Sequence, residues 1–291
     1  MEHQKITELF AESTLRKNVK WNNILVKQQC PFIGKKCVKI RKSEPSVAIG
    51  TCTVAYGKNN DNVIICPHRL IENNQIFLDC IHLLTQHDPG NELHIIPEVF
   101  VPGGSIDYVL ASVKHGKIKD FTGVELQTLD TTGSVWGYRQ SFLESRGIKQ
   151  PAFDEQATFG MNWKMTAKTI LVQMHHKITT FENLNKHLVL VLQDCLMRYM
   201  KKDFSFEHIS TSPKIGDSFH FHNYQLLPNK NKFRLSLFER ASTDAEGIAL
   251  CLGLKAEANV ELEVILKMME SKISEKNVVE ILEIYIIIWK I

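Results

Sequence analysis

The chain has no apolar stretch of membrane-spanning length, no internal repeat, no low-complexity tract and no long linker. These absences exclude a helical membrane protein, a solenoid and a mostly disordered polypeptide. The most apolar run, Ile281 to Ile291 with Tyr285-Ile286-Ile287-Ile288-Trp289 at its centre, is too short to cross a bilayer and reads as a buried strand. An excess of one charge is missing too: 35 Lys and Arg face 32 Asp and Glu, a net of +3. That balance neither demands nor excludes nucleic acid, because an acidic metal site can offset a basic groove. The first residues, Met1-Glu2-His3-Gln4-Lys5, lack the apolar core of a secretory signal, and the seven cysteines are odd in number. A disulfide framework is therefore not expected, and a reducing, cytoplasmic setting is.

Paired CxxC knuckles are absent as well, yet four of the cysteines crowd one segment: Cys30, Cys37, Cys52 and Cys66. That segment is rich in Gly, Pro and Lys and poor in material for an apolar core, which favours a tetrahedral thiolate site over four core thiols. Soft sulfur ligands suit zinc and iron equally. Four thiolates close the coordination sphere, so such a metal would be structural. Cys80, Cys195 and Cys251 lie in apolar or helical surroundings and read as core thiols, with Cys80 a reserve ligand.

A second cluster is acidic. Asp107 follows the turn Gly103-Gly104, and Glu125-Leu126-Gln127 ends an apolar run. Ile106 to Val113 reads as one strand, His115-Gly116-Lys117 as a tight turn, and Phe121 to Leu129 as the next strand. An antiparallel pair sets the acid at the start of one arm beside the ExQ at the end of the other. Glu125 and Gln127 share a face, and Leu126 points to the opposite one. Two carboxylates with a backbone carbonyl, that of Leu126, can hold Mg²⁺ while leaving positions for water and a phosphate oxygen. Glu98, just upstream, is a further candidate carboxylate. The same residues would also suit a turn and the solvent face of an edge strand.

The spacing of Ile6, Leu9, Phe10, Leu15, Val19, Ile24 and Leu25 predicts an amphipathic helix or helix pair over 1–28. Val63 to Cys66 reads as a short strand, Arg69 to Asn74 as a turn or short helix, Asn162 to His175 as a helix and His187 to Leu192 as a buried strand. Phe219-His220-Phe221-His222 alternates as a strand with both histidines on one polar face, and Val260 to Ser271 is a helix. Basic residues cluster at Lys35-Lys36, Lys39 and Arg41-Lys42 around the cysteines, at Lys164, Lys168 and Lys177 after the acidic motif, and at Lys230, Lys232 and Arg234.

The order of a cysteine-rich N-terminal region followed by Asp107 and Glu125-Leu126-Gln127 resembles the NotI-type restriction endonucleases, which have the PD-(D/E)xK nuclease signature in its ExQ variant. The resemblance implies an α/β fold: a PD-(D/E)xK core, a mixed sheet flanked by helices, with a small four-cysteine metal subdomain inserted near the N-terminus. The expected divisions are a helical segment over 1–28, the metal subdomain over 29–72 and the nuclease core with its C-terminal elaboration over 73–291. Helix 162–176 should then pack behind the sheet bearing the metal. For function the resemblance implies a type II restriction endonuclease of a bacterial or archaeal cytoplasm, a homodimer making Mg²⁺-dependent double-strand cuts at a palindromic site, with iron as the structural metal. A cognate DNA methyltransferase would be its functional partner, and no membrane association is expected. Asp107, Glu125, Gln127 and Glu98 are the candidate catalytic residues. Gln127 departs from the usual lysine, so the metal does more of the activation or a nearby Lys or His assists. Lys35 and Lys36, with Arg139 and Gln140 in the loop after the motif, are candidate DNA contacts. A catalytically inactive metal-stabilised DNA-binding module, a repair or mobile-element nuclease, and an interaction protein with scattered core thiols are the other readings.

Overall fold

The computed structural model describes residues 5–154, 156–254 and 262–271. The N-terminal third is built mainly from strands. β1 (Ile6–Leu9), β2 (Glu12–Ser13), α1 (Trp21–Lys27), two short hairpins formed by β3 (Gln29–Cys30) with β4 (Lys35–Lys36) and β5 (Ile40–Arg41) with β6 (Glu44–Ala48), then β7 (Thr51–Tyr56) and β8 (Asp61–Ile64), follow in order. Strands β2-β1-β7-β8 make one antiparallel sheet. The helix expected from residue 6 onward is thus confined to Trp21–Lys27. Ile6 and Leu9 are fully buried in a strand whose partner β7 lies some 45 residues away, and a spacing that also fits a helix cannot reveal that partner. Because β1 and β7 share a sheet, residues 6–64 pack continuously across the boundary expected at residue 28.

A 3-10 segment (Pro67–Asn74) and α2 (Gln75–Leu78) lead into the central sheet. Its strands are β9 (Glu92–Val101), β10 (Gly104–Lys114), β11 (Lys117–Gln127), then, after β12 (Thr131–Gly133), α3 (Trp136–Ser145), β13 (Phe159–Met161) and α4 (Trp163–Asn183), β14 (His187–Gln193). α5 (Asp194–Asp203) precedes β15 (Phe219–Asn229) and β16 (Lys232–Thr243), and α6 (Ala245–Cys251) follows. The spatial order is β16-β15-β14-β11-β10-β9. β9, β10 and β11 form an antiparallel meander, β11, β14 and β15 run parallel, and β16 returns antiparallel. The mixed sheet, with α4 between β11 and its parallel neighbour β14, matches the expected three strands, helix and strand. A long crossover is what parallel pairing requires.

Both faces of the sheet are covered, as a central parallel strand needs, and Leu188 to Leu192 are all fully buried. On one face Leu188, Leu190, Phe219 and Phe221 meet the α4 stripe Ala167, Ile170, Leu171, Met174, Ile178 and Phe181, a helical period. On the other, Leu110, Val124, Leu126, Val189 and Val191 pack under Leu70, Ile71, Ile76, Phe77, Leu83 and Leu84. Gly123 sets the approach of α4: a Cβ there would lie 2.5 Å from Phe181 Cζ and 2.9 Å from Leu188 Cδ1. A buried cluster joins the N-terminal sheet to this core. Arg69 Nε pairs with Glu8 of β1 at 2.8 Å, Nη1 with Glu72 at 3.0 Å, and Nη2 donates to Phe233 O of β16 at 3.2 Å.

Residues Met1–Leu254 form one compact unit, and a second unit, Lys255–Ile291, contains helix α7 (Leu262–Glu270), in agreement with the helix expected there. The strand expected over 281–291 lies outside the described residues. Among the described residues no helix is long and apolar enough to cross a membrane.

Candidate active site

The antiparallel register of β10 and β11 pairs Tyr108 with Val124. One step further places Asp107 opposite Glu125, and the Leu126 N–H donates to Asp107 Oδ2 at 2.8 Å. β11 is an interior strand and Glu125 is 7% exposed, so the alternative of an edge strand's solvent face does not hold. Asp107 is exposed and Gln127 half-buried, so the three residues step from the surface into the sheet. Glu98 is brought alongside as well. β9 pairs Val99 with Ile106 and Pro97 with Tyr108, and the intervening Glu98 takes a positive φ of 51° opposite Asp107. Burial raises the Tyr108 phenol, and the charges of Asp107 and Glu98 raise it further, which places both carboxylates in its field.

The Gly103-Gly104 turn is held against α4. A Cβ on Gly103, whose φ is 94°, would stand 2.6 Å from His176 O, and Thr180 Oγ1 donates to Pro102 O at 2.8 Å. This close approach delivers Lys177 of α4 to the acidic pair. Its Nζ donates to Glu125 Oε1 at 2.6 Å and to Ser105 O at 2.6 Å. Burial pushes the Glu125 carboxyl up to about 7 against the pull of the Lys177 hydrogen bond, and the Asp107 charge adds to the rise. Two facing carboxylates, one of them buried, are a hard-oxygen donor pair of the kind Mg²⁺ takes, and Glu98 does not join them as a third ligand, since among the described residues no three His, Cys, Asp or Glu side chains are gathered to hold a metal.

Gln127 lies on the same strand face as Glu125 and donates through Nε2 to Thr128 O at 3.1 Å. It lines a groove of about 350 Å³ with Lys39, Cys66, His68, Leu126 and Asp130. His68 escaped the sequence reading. It is half-buried, its Nδ1 is buried without a partner, and burial and Lys35 lower its basicity while Asp107 opposes them. Lys177 was visible only as one of three lysines after the motif. Its place on the inner stripe of α4, three residues after the buried Met174, is the signal that could have separated it from Lys164 and Lys168.

Cys30, Cys37, Cys52 and Cys66 are all buried and free. Burial pushes up the thiols of Cys30, Cys52 and Cys66, and each is raised further by neighbouring thiols: Cys37 acts on Cys30, Cys66 and Cys30 on Cys52, and Cys37 and Cys30 on Cys66. Charge interactions thus reach between neighbouring thiols of the four. Their geometry is not that of a formed site, since among the described residues no three His, Cys, Asp or Glu side chains are gathered to hold a metal. Cys80 stands apart, its Sγ bonded to Ile76 O at 3.1 Å and 3.7 Å from His222 Nδ1. Cys195 and Cys251 are buried as expected of core thiols.

Lys35 and Lys36 are exposed on the β3–β4 hairpin, and Lys36 Nζ donates to Ser46 O at 2.9 Å. Arg139 and Gln140 do not suit groove contacts, for they are 3% and 2% exposed. The Arg139 guanidinium donates to Ile49 O at 2.7 Å and to Gln140 Oε1, and stacks on Trp136, while Gln140 Nε2 donates to Gln150 Oε1 at 2.9 Å. These residues lie within helix α3, and its inner face ties them to the loop before β7. His220 and His222 do share a face opposite Phe219 and Phe221, but that face is covered rather than solvated. Burial pushes His220 down to about 4 and His222 well below the ordinary imidazole range, and His222 stacks on His82.

No curated protein matches the chain. The family model described as restriction endonuclease NotI matches residues 22–215. That span takes in the four clustered cysteines, the three strands carrying Glu98, Asp107 and Glu125, and the helix that supplies Lys177. Covering more than half of the 291 residues, the match shows that the chain belongs to the NotI restriction endonuclease family.

Proposed function

We propose that the protein is a type II restriction endonuclease that hydrolyses both strands of DNA at a specific palindromic sequence, with Asp107, Glu125 and Gln127 at its cleavage centre. The observation that carries this reading is the cross-strand pair of Asp107 and a buried Glu125, in a chain of the restriction endonuclease family. Asp107, Glu125 and the Leu126 carbonyl would hold Mg²⁺, and Glu98 would act on a water beside it. When bound, the ion neutralises charge on the transferring phosphoryl group and favours hydroxide over water. The residues of the chain then divide the work. Asp107 is fixed by the Leu126 N–H, Glu125 is aligned by the β-ladder and shielded from bulk water, and the Gln127 amide orients the attacking water as donor and acceptor. A phosphorus–oxygen bond to water forms as the ester bond breaks; the water gives up a proton to solvent, and the leaving oxygen takes one.

Lys35 and Lys36 supply phosphate contacts that position the duplex without reading it. A homodimer would present two such centres with the symmetry of a palindromic target, and a methyltransferase of matching specificity would protect the host genome. A structural iron or zinc on Cys30, Cys37, Cys52 and Cys66 belongs to the same reading, iron being favoured by the family resemblance.

The test is incubation of the purified protein with long mixed-sequence DNA in Mg²⁺ and in EDTA, beside Glu125→Ala. Discrete fragments that disappear in EDTA and in the variant support the endonuclease. DNA that is bound but left intact would instead mark a binding module that has lost cleavage. Sedimentation of the complex with a short cut-site duplex checks the two-chain stoichiometry.

A further inference from the structure

The cleavage centre just proposed lacks the lysine that its motif usually carries, and a neutral amide cannot put positive charge beside the phosphate. We propose that Lys177, from helix α4, supplies that charge and is a catalytic residue of the centre. This inference rests on the assignment of Asp107 and Glu125 and adds a residue from a different element.

Three observations carry it. Among the described residues, Lys177 is the one ammonium or guanidinium paired with a carboxylate of this centre, at 2.6 Å from Glu125 Oε1. Its head group is also anchored by Ser105 O at 2.6 Å, two residues before Asp107, so it touches the β10 arm and the β11 arm at once. An ammonium has three N–H donors, and these two contacts leave one for a phosphate oxygen or the attacking water. The third observation is positional. Glu125 and Gln127 share the face of β11 that α4 covers, so Lys177 enters from the side on which a lysine at position 127 would stand. Burying a lysine this deeply is expensive, and the Glu125 carboxylate and Ser105 carbonyl compensate it. Here its placement is enforced by backbone on both sides: the Gly103 turn against His176, and Gly123 against Phe181.

With Glu125 engaged by a divalent ion, Lys177 stays tethered to Ser105 and turns its remaining donors toward the scissile phosphate. Its contribution is fixed positive charge where negative charge develops, with no proton transferred. The same contact explains how Glu125 is kept aligned before the ion arrives.

The experiment compares single-turnover cleavage of long DNA, enzyme in excess, by wild type, Glu125→Ala, Lys177→Gln, Lys177→Arg and the double variant Lys177→Gln/Gln127→Lys. Each is paired with a thermal midpoint and with DNA binding in Ca²⁺. Loss of one such electrostatic group costs about 100- to 1,000-fold in rate, so Lys177→Gln should fall by that factor with DNA binding retained. Lys177→Arg, which keeps the charge, should recover much of it. The double variant, with a charge restored at the neighbouring motif position, should regain about tenfold or more over Lys177→Gln, a rescue that a merely structural role would not give. The proposal is overturned if Lys177→Gln cleaves within about threefold of wild type, or if Lys177→Gln and the double variant are equally inactive. Should Lys177→Gln fail to fold, Lys177→Arg decides: cleavage within about tenfold of wild type by the folded variant supports the proposal, and a loss of about 100-fold or more in that folded, DNA-binding variant overturns it. Full activity of Glu125→Ala would instead overturn the assignment of the centre itself, whatever Lys177 does.

Discussion

Replacing Glu125 by Gln isolates the cost of burying this acid. In the folded chain its carboxyl is pushed from 4.5 to about 7, chiefly by burial. A raised folded value means that protonation favours the fold. The stabilising contribution is fully present below pH 4.5 and is lost as pH rises through 7. Its size is the difference between those two values at about 1.4 kcal/mol per pH unit, about 3–4 kcal/mol in all. Glu125→Gln keeps the side-chain shape and leaves an oxygen to accept from Lys177 Nζ, but it cannot titrate. Urea unfolding in EDTA between pH 5 and pH 8 should therefore show wild type losing about 2–3 kcal/mol relative to the variant as pH rises. Groups that do not interact with Glu125 titrate alike in both proteins and cancel in the comparison. Parallel curves, or wild type gaining on the variant with rising pH, would refute the reasoning. Addition of Mg²⁺ at pH 8 should return the lost stability to wild type alone, and its apparent affinity should weaken about tenfold for each pH unit below 7.

Other outcomes follow from neighbouring contacts. Gly123→Ala places a methyl 2.5 Å from Phe181 Cζ, so it should cost about 1–3 kcal/mol by thermal unfolding and slow cleavage by displacing α4; an unchanged midpoint would contradict the tight seam. Arg69→Met leaves Glu8, 2% exposed, without its cation and should cost about 3–5 kcal/mol, most of it recovered when Glu8→Gln is added. Arg139→Ala frees the Ile49 and Ala48 carbonyls inside the protein and should lower stability by about 1–3 kcal/mol with little change in DNA affinity per folded molecule; a selective loss of DNA binding would return Arg139 to the groove. Elemental analysis should find iron or zinc reduced in Cys52→Ser and Cys66→Ser but not in Cys80→Ser, whose thiol contacts Ile76 O and His222 instead.

The acidic pair was legible because it depends on short-range geometry. Asp107 and Glu125 lie on adjacent arms of one hairpin, and alternation together with a turn at His115-Gly116, both at positive φ, sets their register. The order of strands, helix and strand was legible for a related reason: α4 carries a long apolar period, and β14 is a continuous apolar run. The segment over 6–15 was misread because four apolar residues fit either period, and only its pairing with β7 selects the strand.

Residues whose role depends on partners far along the chain could not be read this way. Arg139 lies in a loop-like stretch of small and polar residues, yet α3 turns it inward onto carbonyls some 90 positions earlier. Lys177 looks in sequence like Lys164 and Lys168, and only the packing of α4 on Gly123 and the Gly103 turn brings it to Glu125, 52 positions away. His68 enters the groove lined by Gln127 because the segment after β8 folds across the end of β11.

By itself, then, the sequence determined the hairpin with its facing acids, the amphipathic helix after it and the buried central strand. These follow from local periodicity, turn chemistry and spacing. The tertiary structure decided which charges are buried and with whom: Lys177 on Glu125, Arg69 on Glu8, Arg139 on main-chain oxygens. Removing an ion from water is tolerated only where a partner is already in place, and whether one is depends on how distant segments pack.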